Sequence, residues 1–150
     1  MNSKLASTLP FSDLTLLLLI FLVGLHTTFF TLVGIQRYEN LQTGGDFAFF
    51  KQVFWNHQHG NHYYTTLEDG GRSSLGTHVS LITLPLAMFL SLLPLTCGMI
   101  FLQALFCSAT AVLLFLIARQ RGFPPLFGIF LGCCWLISPF IQGALIFDFH

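Results

Sequence analysis

The sequence predicts an all-α integral membrane protein with three full transmembrane helices, a proline-broken re-entrant or juxtamembrane helix, and an external loop carrying a short amphipathic helix. Three observations predict it. Of 150 residues, 54% are hydrophobic and only 8% charged, with a mean hydropathy of +0.74. A soluble domain carries about 25% charged residues, so lipid is the main solvent here. Apolar runs long enough to cross a bilayer recur along the chain. Nine of the eighteen acidic, basic and histidine side chains are confined to one wet interval, Gly45 to His78.

Residues 1–13 form a short polar leader with Lys4, expected in the cytoplasm. Leu14 to Ile35 follows, about 22 residues or roughly 33 Å of helix, against a hydrocarbon core of about 30 Å. The run is too long for a cleaved signal peptide, and no small-x-small cleavage site follows it. His26 and the threonines at 27, 28 and 31 lie inside this span. Threonine hydroxyls can bond the preceding turn, and His26 is expected to face other helices, because an ionisable group facing lipid is costly.

The external loop is expected over residues 36–78. Within it, Phe47 to Asn56 places apolar residues at 47, 49, 50, 53 and 54 and polar ones at 51, 52 and 56. That is helical spacing with one apolar face. The helix is expected on the membrane surface, with Trp55 at headgroup depth and Asp46 as its N-cap. Gly60, Gly70-Gly71 and Ser73-Ser74 mark loops.

The segment 79–95 is apolar but interrupted by Pro85 and Pro94. Spans are expected at about 99–118, ending at Arg119-Gln120-Arg121, and at 126–147. If 79–95 crosses the membrane, the arginines fall outside and Asp148 inside. If it is re-entrant or juxtamembrane, the arginines are cytoplasmic and Asp148 emerges on the side of Asp46. The positive-inside bias prefers the second arrangement, and a proline-broken segment at membrane depth is tolerated where helices cover it.

A net charge of zero offers no basic face, so no nucleic acid partner is expected. Cys97, Cys107, Cys133 and Cys134 lie in or beside apolar segments and read as small apolar residues without metal-type spacing. No Walker, dinucleotide or zinc-protease motif occurs.

The residues that can carry chemistry are few. Asp46 serves either as a helix cap or as a general base or metal ligand at the membrane face. His57, His59 and His62 form HxHxxH, which reads as a zinc or copper site or as a wet aromatic loop. Glu68 and Asp69 read as solvated loop charges. His78 precedes an apolar segment, and Asp148 and His150 follow a span. In the preferred topology Asp46, His78, Asp148 and His150 share one membrane face. Two carboxylates and two imidazoles there suit a divalent metal or acid–base work.

These residues also carry a resemblance. GDFAFFKQVFWN (45–56) with His59-Gly60, LGTH (75–78), LQAL (102–105), AR (118–119) and FDFH (147–150) occur in order. Over roughly residues 14–150 the chain resembles the start of a bacterial family of predicted membrane proteins, domain of unknown function 2079. That family is grouped with the GT-C glycosyltransferase superfamily, which takes sugars from lipid-phosphate donors. The resemblance implies an inner-membrane protein whose Asp46 matches the acidic residue of the first external loop. Asp148 matches a second acidic site, and His78 and His150 match family histidines. It also implies juxtamembrane helices between the first two full spans. Such enzymes are larger, so the chain is expected to be the N-terminal part of a larger polytopic domain, inactive alone. The competing expectation is a small non-enzymatic membrane subunit that packs against other subunits through its Phe-rich faces.

Overall fold

In the computed structural model, residues 9–67, 71–74 and 81–147 are described. The chain order is α1 (Leu9–Glu39), α2 (Gly45–Gln58), β1 (Tyr64–Thr65), β2 (Arg72–Ser73), α3 (Thr83–Leu90), α4 (Leu95–Gln120), α5 (Pro125–Leu136) and α6 (Pro139–Ile146). Among the described residues the architecture is helical, apart from an antiparallel ladder that pairs Tyr64 with Ser73 and Thr65 with Arg72. Among the described residues two helices, Leu14–Glu39 within α1 and α4, are long and apolar enough to cross a membrane. α5 and α6 make a third if that bent pair counts as one span.

α1 runs past Ile35 through the polar turn Gln36-Arg37-Tyr38-Glu39. It closes with two crossed bonds, Gln42 N–H to Arg37 O (2.9 Å) and Leu41 N–H to Tyr38 O (3.1 Å). This closure needs a left-handed residue between them, and Leu41 supplies it at φ 56. α2 and α4 close in the same way on glycine, with Gly60 at φ 86 and Gly122 at φ 83.

α1 and α4 pack antiparallel. Leu19 meets Ala111 and Phe115, His26 meets Ser108, Phe30 meets Ala104, and Gly34 meets Ile100. Between them lies α5, applied through two glycines one turn apart. A Cβ on Gly128 would stand 2.7 Å from Phe115 Cδ2, and one on Gly132 would stand 2.9 Å from Leu19 Cδ1. Two apolar helices gain little from hydrophobicity in lipid, so close backbone approach over small residues supplies the attraction instead.

The third apolar run is not the continuous helix expected over 126–147. It breaks at Ile137-Ser138, and its halves meet at 44°. Pro139 is the cause. Proline lacks an N–H and holds the preceding residue out of the helical region, and Ser138 lies at φ −59, ψ 126. The break frees the Leu136 carbonyl, which hydrocarbon cannot solvate. His26 on α1 reaches it: Nε2–H donates to Leu136 O at 3.0 Å. That bond fixes the proton on Nε2, and Nδ1 contacts Ser108 Oγ at 2.8 Å. Ser108 Oγ also lies 2.6 Å from Ala104 O. His26 therefore faces the other helices, as expected, and joins α1, α4 and α5. Gln103 Nε2 adds a bond to Ala144 O (2.9 Å) that ties α6 to α4.

Among its described residues, 81–95, the segment 79–95 has the eight-residue helix α3, about 12 Å long. Pro94 is the N-cap of α4, so the next helix starts at Leu95 rather than Met99. The second cluster of the core, at this end of the bundle, unites Phe47, Val53, Phe54, Leu90 and Met99, with Tyr38 packed against it.

Candidate functional site

Four chain segments meet at the end of the bundle where α1 finishes: its last turn, the start of α2, the first turns of α4 and the end of α6. Between them opens a shallow cleft with a cavity volume of about 20 Å³. Its rim is polar, with Arg37, Thr43 and Gln103, and its floor is apolar, including Phe30, Ala104 and Leu145. Phe47 of α2 and Phe147, the residue after α6, line it as well.

The cleft is lined by Phe47 and Phe147, the chain neighbours of two predicted site residues. Asp46 is followed directly by Phe47, and Phe147 is followed directly by Asp148. Asp46 is exposed in the first turn of α2. It is not the N-cap: Gly44 occupies that position, extended at φ −97, ψ −164. Two residues further in, a carboxylate still lies beside the positive end of the helix dipole. Asp148, His150 and His78, together with Glu68 and Asp69, lie outside the described residues.

α2 carries an apolar face, and that face is covered by protein. Phe47, Val53 and Phe54 are buried against α3 and α4, while Trp55 stays 48% exposed. Its polar side anchors the following loop. Gln52 Oε1 accepts from Thr65 Oγ1 (2.8 Å) and Thr66 N–H (3.0 Å), and its amide donates to Thr66 Oγ1 at 2.8 Å. Asn56 Nδ2 donates to Tyr64 O at 2.8 Å. At the end of α1, Lys51 Nζ donates to the Tyr38 hydroxyl and lies 4.6 Å from its ring centroid. Lys51 thus pins α2 to α1 rather than facing the cleft.

The HxHxxH set does not converge. His57 stacks on Tyr63 at 4.2 Å, and burial pushes the Tyr63 phenol above its ordinary range. His59 stacks on Trp55 at 3.9 Å, and its Nδ1–H donates to Trp55 O at 2.7 Å. Gly60 ends the helix and His62 is exposed in the loop beyond it. Among the described residues no group of three His, Cys, Asp or Glu side chains is placed to hold a metal. Of the four residues predicted to share a divalent cation, only Asp46 falls among them.

Arg37 and Gln103 escaped the sequence reading of the site. A signal existed: Phe30, Gly34 and Arg37 follow helical spacing, so a cation terminates one stripe of α1. Gln103 is an amide inside an otherwise apolar helix.

No curated protein and no solved structure matches the chain. The family model described as "Predicted membrane protein (DUF2079)" matches residues 37–150, from Arg37 at the cleft rim through both predicted acidic positions. With more than half its length matched, and with apolar helices of membrane-crossing length, the chain belongs to this family of predicted membrane proteins.

Proposed function

We propose that the chain forms one wall of a membrane-face glycosyl-transfer site of the GT-C type, in the plasma membrane of a bacterium. The observation that carries this reading is the cleft shared by Phe47 and Phe147, the neighbours of Asp46 and Asp148. The antiparallel packing of α1 and α4 supports a topology of three crossings, the third through the bent α5–α6 pair. In it, 79–95 does not cross, and α2 and the cleft are external. The twelve-ångström length of α3 supports the same arrangement.

Asp46 is the general base, or a ligand of a divalent metal, and Asp148 assists it. His78 and His150 bind substrate or metal. The carboxylate takes the proton of an acceptor hydroxyl as the hydroxyl oxygen bonds to the anomeric carbon. The anomeric carbon–oxygen bond breaks, and its electron pair leaves on the lipid phosphate. A divalent metal, when bound, would offset the charge that develops on that phosphate.

The test is Asp46→Asn in a complete, active assembly. Transfer should fall by about 10²- to 10⁴-fold, the usual contribution of a positioned base. Unchanged transfer rejects the role and favours a subunit that packs against other membrane proteins. Exposed Phe29, Phe106, Phe130 and Phe140 would then be its contact faces.

A further inference from the structure

We propose that α6 is a hinged lid on the cleft, closed in this structure and held shut by the Gln103 amide. The purpose of the lid rests on the reading of the cleft as a transfer site; its movement does not.

The first argument is size. The cleft volume of about 20 Å³ is room for about one water molecule, far too little for a sugar ring. Its floor of Phe30, Ala104 and Leu145 is packed as a core cluster, with Cys107 and Ile141 against it. A substrate enters only if one wall moves. α1 and α4 are locked together from Leu19 against Phe115 to Gly34 against Ile100. α2 is held by Phe47, Val53 and Phe54 and by Lys51. α6 is the lightly held wall: of its eight residues, Leu145 is the buried one.

The second argument is the joint. The end of α5 is fixed twice, by Trp135 Nε1–H donating to Cys107 O at 2.7 Å and by His26 donating to Leu136 O. Directly beyond it the helical ladder stops. Pro139 has no N–H, and among the described residues no backbone N–H of α6 donates to a carbonyl of α5. Gln142 Nε2 reaches Leu136 O only at 3.4 Å. A rotation about the ψ angle of Ser138 therefore breaks no backbone hydrogen bond between the two helices.

The third argument is the cost of opening. Lipid tails are as apolar as leucine, so an apolar helix loses little by turning toward them. What holds α6 down is the packing of Leu145 on Phe30 and Ala104 and the bond from Gln103 Nε2 to Ala144 O at 2.9 Å. Ala144 lies in the last turn of α6, where carbonyls lack a helical partner, and Gln103 stands on the polar rim. Water can replace the amide there. Opening lifts Leu145 from the floor and frees the Gln103 amide for a ligand oxygen.

The test is cysteine accessibility in the full chain in bicelles, with the four native cysteines replaced. A cysteine at Ala104, 2% exposed on the cleft floor, should react slowly with a small water-soluble methanethiosulfonate. Adding Gln103→Leu should raise that rate about threefold, the weight of an average hydrogen bond between membrane helices. A cysteine at Ala111, fully buried further along α4 beside Leu19 and Phe115, should stay unreactive in both backgrounds. Position 104 as inert as position 111 overturns the lid. So does immediate reaction at 104 with Gln103 intact, or the same rate with and without Gln103→Leu. A matching rise at 111 also overturns it, because the whole bundle would then be loosening. Labelling is read without turnover, so its failure leaves Asp46 to its own test, and failure of Asp46→Asn leaves the lid standing.

Discussion

Replacing His26 by leucine should destabilise the protein by about 1–3 kcal/mol, more than replacing it by glutamine. Leucine fills much of the ring's volume but donates nothing. The Leu136 carbonyl would lose its 3.0 Å bond from Nε2, keeping only the long 3.4 Å contact from Gln142 Nε2. Stranding a buried acceptor costs about 1–3 kcal/mol. Hydrogen bonds between membrane helices average about 0.6 kcal/mol and reach about 1.7, so the lower half of the range is expected. The Ser108 hydroxyl adds little to the cost, because Ala104 O remains 2.6 Å away. Glutamine restores a donor of similar reach and should recover most of the loss. Alanine should be worst, because it also removes the ring packed 4.6 Å from Phe30. Reversible unfolding in bicelles would measure the order wild type, glutamine, leucine, alanine. If leucine equals wild type while alanine is destabilised, His26 acts by volume alone and the carbonyl argument fails.

Two further predictions concern packing and sidedness. Gly132→Ala should cost about 1–3 kcal/mol by overpacking, because its Cβ would stand 2.9 Å from Leu19 Cδ1 and 3.3 Å from the Ala111 carbonyl oxygen. Unfolding in the same bicelles would check it, and Gly143→Ala, with nothing within 4 Å, is the control expected to be neutral. With the four free cysteines replaced, single cysteines at Gln58 and Gln120 should react with an impermeant maleimide from opposite sides of the membrane. Reaction of both from outside would refute the proposed topology.

The long elements were legible because lipid imposes a length and composition on anything that crosses it. The apolar runs from Leu14 and Met99 marked two helices, and their ends moved only by a turn. α2 buries Phe47, Val53 and Phe54 and closes on Gly60. The partners of His26 were not legible, although its inward direction was, since they lie 82 and 110 positions away. Pro139 was missed inside a run whose hydropathy stays high through the break. Gly128 and Gly132 carry spacing that favours close packing, yet hydropathy registers them only as neutral. At the site, Asp46 drew attention as the charge that opens the wet interval. Arg37 did not, because its meaning depends on Gln103 and Phe147 arriving from distant elements.

The bond from His26 to Leu136 also bears on how the protein is made. α5 and α6 are about 18 and 12 Å long, so neither alone matches a hydrocarbon core of about 30 Å. Their junction exposes a carbonyl that lipid cannot satisfy. Its donor lies 110 residues earlier, so during synthesis α1 is in place before the break emerges. The last apolar segment is thus completed by a surface the nascent chain has already built. Moving its coding sequence ahead of α1 would release a bent, half-satisfied hairpin with nothing to dock on.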